Sequence, residues 1–130
     1  MTDLIDDLAD QREAENAPFK GLMAGKRGLI MGVANERSIA WGIASAVAGQ
    51  GAQLAFTYQN DSLKKRVEPL AASVGSSLAV MCDVGNDDAL DRAFDEIGTA
   101  WGGLDFVLHA IAYSDKGELK GRYADTSREN

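Results

Sequence analysis

The sequence predicts an α/β protein: a doubly wound parallel sheet, incomplete, with about four strands and three helices. Three observations predict it. Short apolar runs alternate with longer segments whose apolar residues recur at helical spacing. The helical segments run about 12–15 residues, the length of a crossover between parallel strands. Glycines stand at the points where several segments stop. The order is β-α-β-α-β-α-β, with right-handed crossovers.

Residues 1–20 come before this pattern. They carry six acids (Asp3, Asp6, Asp7, Asp10, Glu13, Glu15) against two bases, and Pro18 interrupts their weak helical spacing. They read as an acidic, flexible, solvated tail, with a partner-binding helix as the sharper alternative. Arg27–Gly32 is an apolar run ending in glycine, the first strand. Ser38–Gln50 places Ile39, Ile43 and Val47 four apart, an amphipathic helix with Ser38 as its N-cap and Gly51 as its stop. Gln53–Tyr58 is the second strand. Leu63, Val67, Leu70 and Val74 mark the second helix, which Gly75 ends and in which Pro69 predicts a kink or early break. Leu78–Met81 is the third strand. Asp87–Trp101 is the third helix, with Leu90, Phe94 and Ile97 on its buried stripe. Leu104–Leu108 is the fourth strand. A loop follows, and Thr126 reads as the N-cap of a further helix.

Composition narrows the function. The 130 residues carry 20 acids and 13 bases, a net charge of −7, which disfavours nucleic acid and an anionic membrane surface as partners. No apolar run approaches the roughly 20 residues of a membrane helix. The N-terminus has neither a basic nor an apolar region of a secretory signal, so a cytoplasmic protein is expected. One cysteine, Cys82, and one histidine, His109, leave no metal site to expect.

In a doubly wound sheet, ligands bind beyond the carboxyl ends of the strands. With strand order 3-2-1-4, the crevice lies between strands 1 and 4. Gly32 permits a tight turn, and Ser38 opens the helix six residues later. That segment reads either as a phosphate site, with a hydroxyl donor beside a helix N-terminus, or as a plain loop with a capping serine. Gln59 ends strand 2, where a ribose would lie, or is an exposed turn residue. Asp83 follows strand 3 and either accepts from an adenine amino group or caps the next helix. Cys82, Met23, Met31 and Met81 read as core residues. Trp41 and Trp101 read as helix packing. His109 reads as a hydrogen-bonded structural histidine rather than a catalyst.

Taken together, Gly32-Val-Ala-Asn-Glu-Arg-Ser-Ile-Ala-Trp-Gly42, Phe56-Thr-Tyr-Gln59, Cys82-Asp-Val84, Leu104-Asp-Phe-Val-Leu-His-Ala-Ile-Ala112 and Lys120–Ser127 resemble bacterial enoyl-acyl-carrier-protein reductase. This is the NADH-dependent, FabI-type branch of the short-chain dehydrogenase/reductase superfamily. The resemblance runs from about Gly21 to Asn130. It implies that 21–130 form the N-terminal part of a Rossmann-like dinucleotide-binding domain. It also implies NADH as coenzyme, an enoyl thioester on acyl carrier protein as substrate, and a homotetramer. By resemblance, Gly32, Ser38 and Ile39 hold the pyrophosphate and Gln59 contacts the adenosine ribose. Asp83 and Val84 frame the adenine, Ile111 lies near the nicotinamide-side ribose, and the Ser114 backbone meets the acyl thioester, with Tyr113 beside it.

One departure stands out. The family's catalytic pair is Tyr-x6-Lys on a helix beyond strand 4. Here Tyr58–Lys65 and Tyr113–Lys120 fit the spacing, but the first begins on a strand and the second lies in a loop. No catalytic residue is therefore expected in these 130 residues, which look like the first half of such a domain. The alternatives are a non-catalytic nucleotide-binding half-domain or another member of the superfamily, such as a ketoreductase.

Overall fold

The computed structural model describes residues 21–130. The expected tail over 1–20 lies outside the described residues. The chain runs β1 (Arg27–Met31), α1 (Ile39–Gly49), β2 (Gln53–Tyr58), α2 (Asp61–Ser73), β3 (Ala79–Met81), α3 (Asp87–Trp101) and β4 (Phe106–His109). Two single-turn 3-10 segments follow, Lys116–Leu119 and Tyr123–Asp125. The strands form one parallel sheet in the order β3-β2-β1-β4, as the doubly wound expectation requires. Arg27 pairs with Gln53 on one side of β1, and Gly28 with Phe106 on the other.

Alternation along the central strands sorts the core into two layers. Ile30, Leu54 and Phe56 face α1 and α2, meeting Ala40, Ala44, Val67 and Ala71. Leu29, Met31, Ala55 and Val80 face α3, meeting Ala93 and Ile97. Two helices thus cover one face and one helix covers the other, which leaves the carboxyl ends of the strands open together at one end.

Several sequence expectations need correction. On α1, Ile39 and Ile43 are exposed, and the buried stripe is Ala40 and Ala44 with Val47 and Ala48 partly buried. The small alanines bring α1 close to the sheet, where larger isoleucines would not fit. On α3 the buried residues are Ala93 and Ile97, with Leu90 partly buried, while Phe94 is 41% exposed. Met81 points away from the core on edge strand β3 and is 47% exposed. Helix α2 runs through Pro69 without ending there. Pro69 and Lys65 are both exposed, so water can take the Lys65 carbonyl that loses its partner, and buried Val67 and Ala71 anchor the turns on either side. Thr126 follows the turn at Tyr123–Asp125, and its hydroxyl donates to the Tyr123 carbonyl at 2.7 Å; the four described residues after it are not helical and do not test a helix beginning there. Strand 4 begins at Phe106 rather than Leu104 and reaches His109.

Candidate functional site

Beyond the strand ends lies a cavity of about 580 Å³. Each strand contributes the residues that follow it: Gly32 to Ala34 from β1, Gln59 from β2, Cys82 to Gly85 from β3, and Ala110 to Tyr113 from β4. A second cavity of about 610 Å³ adjoins it, sharing Val84 and Ile111 to Tyr113 and closed by residues 114–130.

The geometry starts at Gly32, whose φ is +113°. A Cβ built there would lie 2.3 Å from the Ala110 carbonyl oxygen. Only glycine lets the loop after β1 pass the loop after β4 so closely. The Ala110 amide donates to the Met31 carbonyl at 2.9 Å, which fixes that approach. The crevice floor is therefore backbone, and a flat group can lie against it.

Ser38 occupies the N-cap position of α1, but its hydroxyl does not cap the helix. It accepts instead from the amides of Ala34 at 2.9 Å and Asn35 at 3.2 Å. Asn35 Oδ1 in turn accepts from the Arg37 amide at 2.8 Å. A hydroxyl has two lone pairs and one proton. With both lone pairs engaged by the loop, the Ser38 proton is left to donate outward, beside the leading amides of α1 at Ile39 and Ala40. A hydroxyl donor at a helix N-terminus suits an anionic group such as a phosphate. Ser38 and Ile39 are not among the cavity walls, though Ser38 is bonded to the wall residue Ala34; Ile39 is 81% exposed.

At the end of β2, Gln59 is exposed and lines the cavity. Asn60 caps α2, its Oδ1 accepting from the Leu63 amide at 3.1 Å. Lys64 Nζ lies 3.8 Å from Glu68 along the exposed helix face, directed toward that carboxylate. At the end of β3, Asp83 is not a helix cap. Its Oδ1 accepts from the Gly85 amide at 3.0 Å in a local turn, while Asn86 caps α3 by accepting from Ala89 at 3.2 Å. Asp83 Oδ2 has no hydrogen-bond partner among the described residues, so it remains an acceptor facing the cavity region. Cys82 is buried beside it. Desolvation, then the neighbouring Asp83 charge, pushes its thiol pKa up, so it behaves as an inert core residue.

Val84 and Ile111 are half-buried and pack against the core layer that faces α3. They divide the two cavities. Ser114 lines the second cavity, and its hydroxyl accepts from Asn130 Nδ2 at 2.9 Å. His109 is exposed and has no side-chain hydrogen bond among the described residues, so the hydrogen-bonded structural role expected of it is not found. Tyr58 is buried on β2 and Lys65 is exposed on α2, while Tyr113 and Lys120 are both exposed in the loop after β4. Neither arrangement holds an acid at the mouth of the cavity on a helix.

The structure therefore gathers Gly32, Gln59, Asp83, Val84 and Ile111 around one cavity, leaves Ser38 and Ile39 outside its lining, and puts Ser114 in the adjoining one. Sequence reasoning missed Thr57, a buried hydroxyl in the wall, and Glu129. Thr57 could have been found, because it sits one residue before the strand end on the β2 run already chosen. Glu129 carries no such signal.

Comparisons with known proteins point one way. The enoyl-(acyl carrier protein) reductase family model matches residues 32–130. The enoyl-acyl-carrier-protein reductase (NADH) 2 of Rhizobium meliloti is 63% identical over 112 residues, 86% of this chain and 42% of that protein. The reductase of Anaplasma phagocytophilum, solved in complex with NAD, is 56% identical with a TM-score of 0.72 over 85% of this chain and 42% of that one. The Bacillus cereus enoyl-acyl carrier protein reductase, solved with NADP+ and indole naphthyridinone, is 43% identical with a TM-score of 0.72 over 84% and 43%. The chain thus spans less than half the length of these relatives.

Proposed function

The chain belongs to the enoyl-(acyl carrier protein) reductase family, and from that premise we propose that the full-length protein reduces the trans-2 double bond of enoyl thioesters on acyl carrier protein, with NADH as coenzyme. NADH bound at the strand ends would supply the hydride. The single observation that carries this reading is the meeting of four strand ends on one cavity that Gly32 lines, with the Ser38 hydroxyl bonded to the lining residue Ala34.

In this reading, Gly32, Ser38 and the Ile39 amide hold the pyrophosphate. Gly32 is required at this turn because a side chain there would strike Ala110, and the Ser38 proton is free to donate to the pyrophosphate. Gln59 meets the adenosine ribose. Asp83 Oδ2 accepts from the adenine amino group while Val84 packs on the ring. Ile111 lies at the nicotinamide-side ribose, and the Ser114 backbone receives the acyl thioester in the second cavity. Among the described residues no helix is long and apolar enough to cross a membrane. The reading places the enzyme in the cytoplasm as a homotetramer.

Coenzyme choice follows from charge. Neutral Gln59 offers no fork for a 2′-phosphate, Asp61 repels one, and Lys64 is drawn along α2 toward Glu68. The full-length protein should use NADH at least about tenfold better than NADPH by kcat/KM, roughly 1.4 kcal/mol of discrimination. The test is coenzyme oxidation with an enoyl thioester on acyl carrier protein. No enoyl-dependent oxidation of NADH would overturn the reading, and equal use of NADPH would overturn the coenzyme assignment.

A further inference from the structure

Residues 112–130 contain no strand and no α-helix among them, yet they enclose the second cavity. Side-chain hydrogen bonds take the place of secondary structure. Glu118 receives Ser127 twice: the Ser127 amide donates to Oε2 at 2.9 Å and its hydroxyl to Oε1 at 2.6 Å. Asn130 closes the two ends. Its Oδ1 accepts from the Asp115 amide, its Nδ2 donates to Ser114 Oγ at 2.9 Å, and its own amide donates to Ser127 Oγ at 3.2 Å. Asp115 Oδ1 accepts from the Gly117 amide at 2.8 Å and starts the first 3-10 turn. Outside the loop, Arg128 Nη2 grips both oxygens of Asp87 at 2.9 and 2.8 Å, tying the loop to the first turn of α3.

We infer that Glu118, Ser127 and Asn130 are positioning residues: they clasp residues 114–130 into one closed loop that sets the outer wall of the second cavity and so the fit of the acyl thioester. The inference rests on the function proposed above, since it assigns that cavity to substrate. The exposed side chains of Tyr113 and Leu119 form the part of the wall that the clasp holds in place. Among the described residues neither belongs to the two core layers, and the clasp is what ties them beside Val84 and Ile111. Glu118 accepts both bonds only as a carboxylate. The Ser127 hydroxyl first, then its amide, hold that carboxyl below the ordinary glutamate range, so the clasp is closed at neutral pH.

The test is a graded series in the full-length protein. Ser127→Ala removes the hydroxyl and keeps the amide. Glu118→Gln keeps one acceptor. Glu118→Ala removes both. KM for the enoyl thioester should rise in all three, most for Glu118→Ala, at about tenfold, with NADH Kd within twofold of the parent and kcat little changed. A loop that mattered only for folding would move KM, Kd and melting temperature together. The clasp is overturned if Glu118→Ala leaves KM within twofold, or if NADH Kd rises in step with KM. Hydrogen exchange at the Gly117 and Ser127 amides separates the two readings. If the parent protein does not turn over enoyl thioester, the proposed function fails, and the clasp is then judged by exchange alone. Faster exchange at those two amides in Glu118→Ala, with β1 and β2 unchanged, supports it; unchanged exchange overturns it.

Discussion

Strand β2 buries five of its six residues, whereas β4, on the far side of β1, is nowhere fully buried. Both strands pair with β1 in parallel, and both end at the cavity. The difference lies in what covers them. Phe56 on β2 is enclosed by α1 and α2, and Ala55 faces α3. Val107 on β4 is 46% exposed; Leu108, Ala110 and Ile111 still pack on the core layers, and the chain from Ser114 onward is held by side-chain bonds. The first cavity is thus built on core, and the second leans on a hydrogen-bonded loop. Burial of apolar surface is cooperative and insensitive to any one polar group. A clasp of polar bonds can be changed one bond at a time. The coenzyme-side wall should accordingly be rigid, and the substrate-side wall adjustable.

The largest expected effect tests that contrast directly. Phe56→Ala should destabilise the fold by about 3–5 kcal/mol, the usual cost of emptying a fully buried aromatic site. In residues 1–130 alone, Val107→Ala should cost no more than about 1 kcal/mol, since nearly half of that side chain meets water there. Chemical denaturation of both variants gives the two values. Comparable losses would mean that β4 is as much core as β2.

Gly32 is where the two halves touch. Gly32→Ala combines a left-handed backbone with a contact against the Ala110 carbonyl, and should cost about 2–3 kcal/mol. It should also lower NADH affinity more than any exposed substitution on α2. Thermal melts with and without NADH separate the two losses. Retention of full affinity would show that the approach of the two loops does not shape the site.

Ser38→Ala sharpens the comparison at smaller scale. It removes the hydroxyl proton and the one acceptor that both loop amides share, but no helix cap. A hydrogen bond to a charged group contributes about 1.5–3 kcal/mol, so NADH affinity should fall between about tenfold and a hundredfold. Fold stability should fall by about 1 kcal/mol, less than the binding term. Calorimetry and denaturation of one variant measure both. Stability falling while affinity holds would make Ser38 a loop staple and nothing more.

The strand and helix order was legible in the sequence because periodicity reports burial directly. The four runs at Arg27, Gln53, Leu78 and Leu104 and the stops at Gly51 and Gly75 fell within a few residues of the observed ends. What failed was the choice of face. On α1, period four fits both the isoleucines at 39 and 43 and the alanines at 40 and 44; hydrophobicity favours the first pair and close approach to the sheet favours the second. Phe94 failed for the same reason beside Ala93. The helix caps at Asn60 and Asn86 were readable, each an asparagine directly before an aspartate that opens a helix, but Ser38 and Asp83 drew attention instead. The clasp was not legible at all. Its partners lie 9 to 16 residues apart in a segment without periodicity, so only the folded chain brings them together.

The central claim is that the coenzyme lies across the carboxyl ends of the strands, along the rigid half of the cavity. Hydrogen exchange of the full-length protein, measured by peptide with and without NADH, tests it most directly. Protection should appear in peptides covering residues 32–42, 57–61 and 83–86, with no change at 49–53 or 101–105, at the opposite end of the sheet. Protection at that opposite end, or none at 32–42, would contradict it.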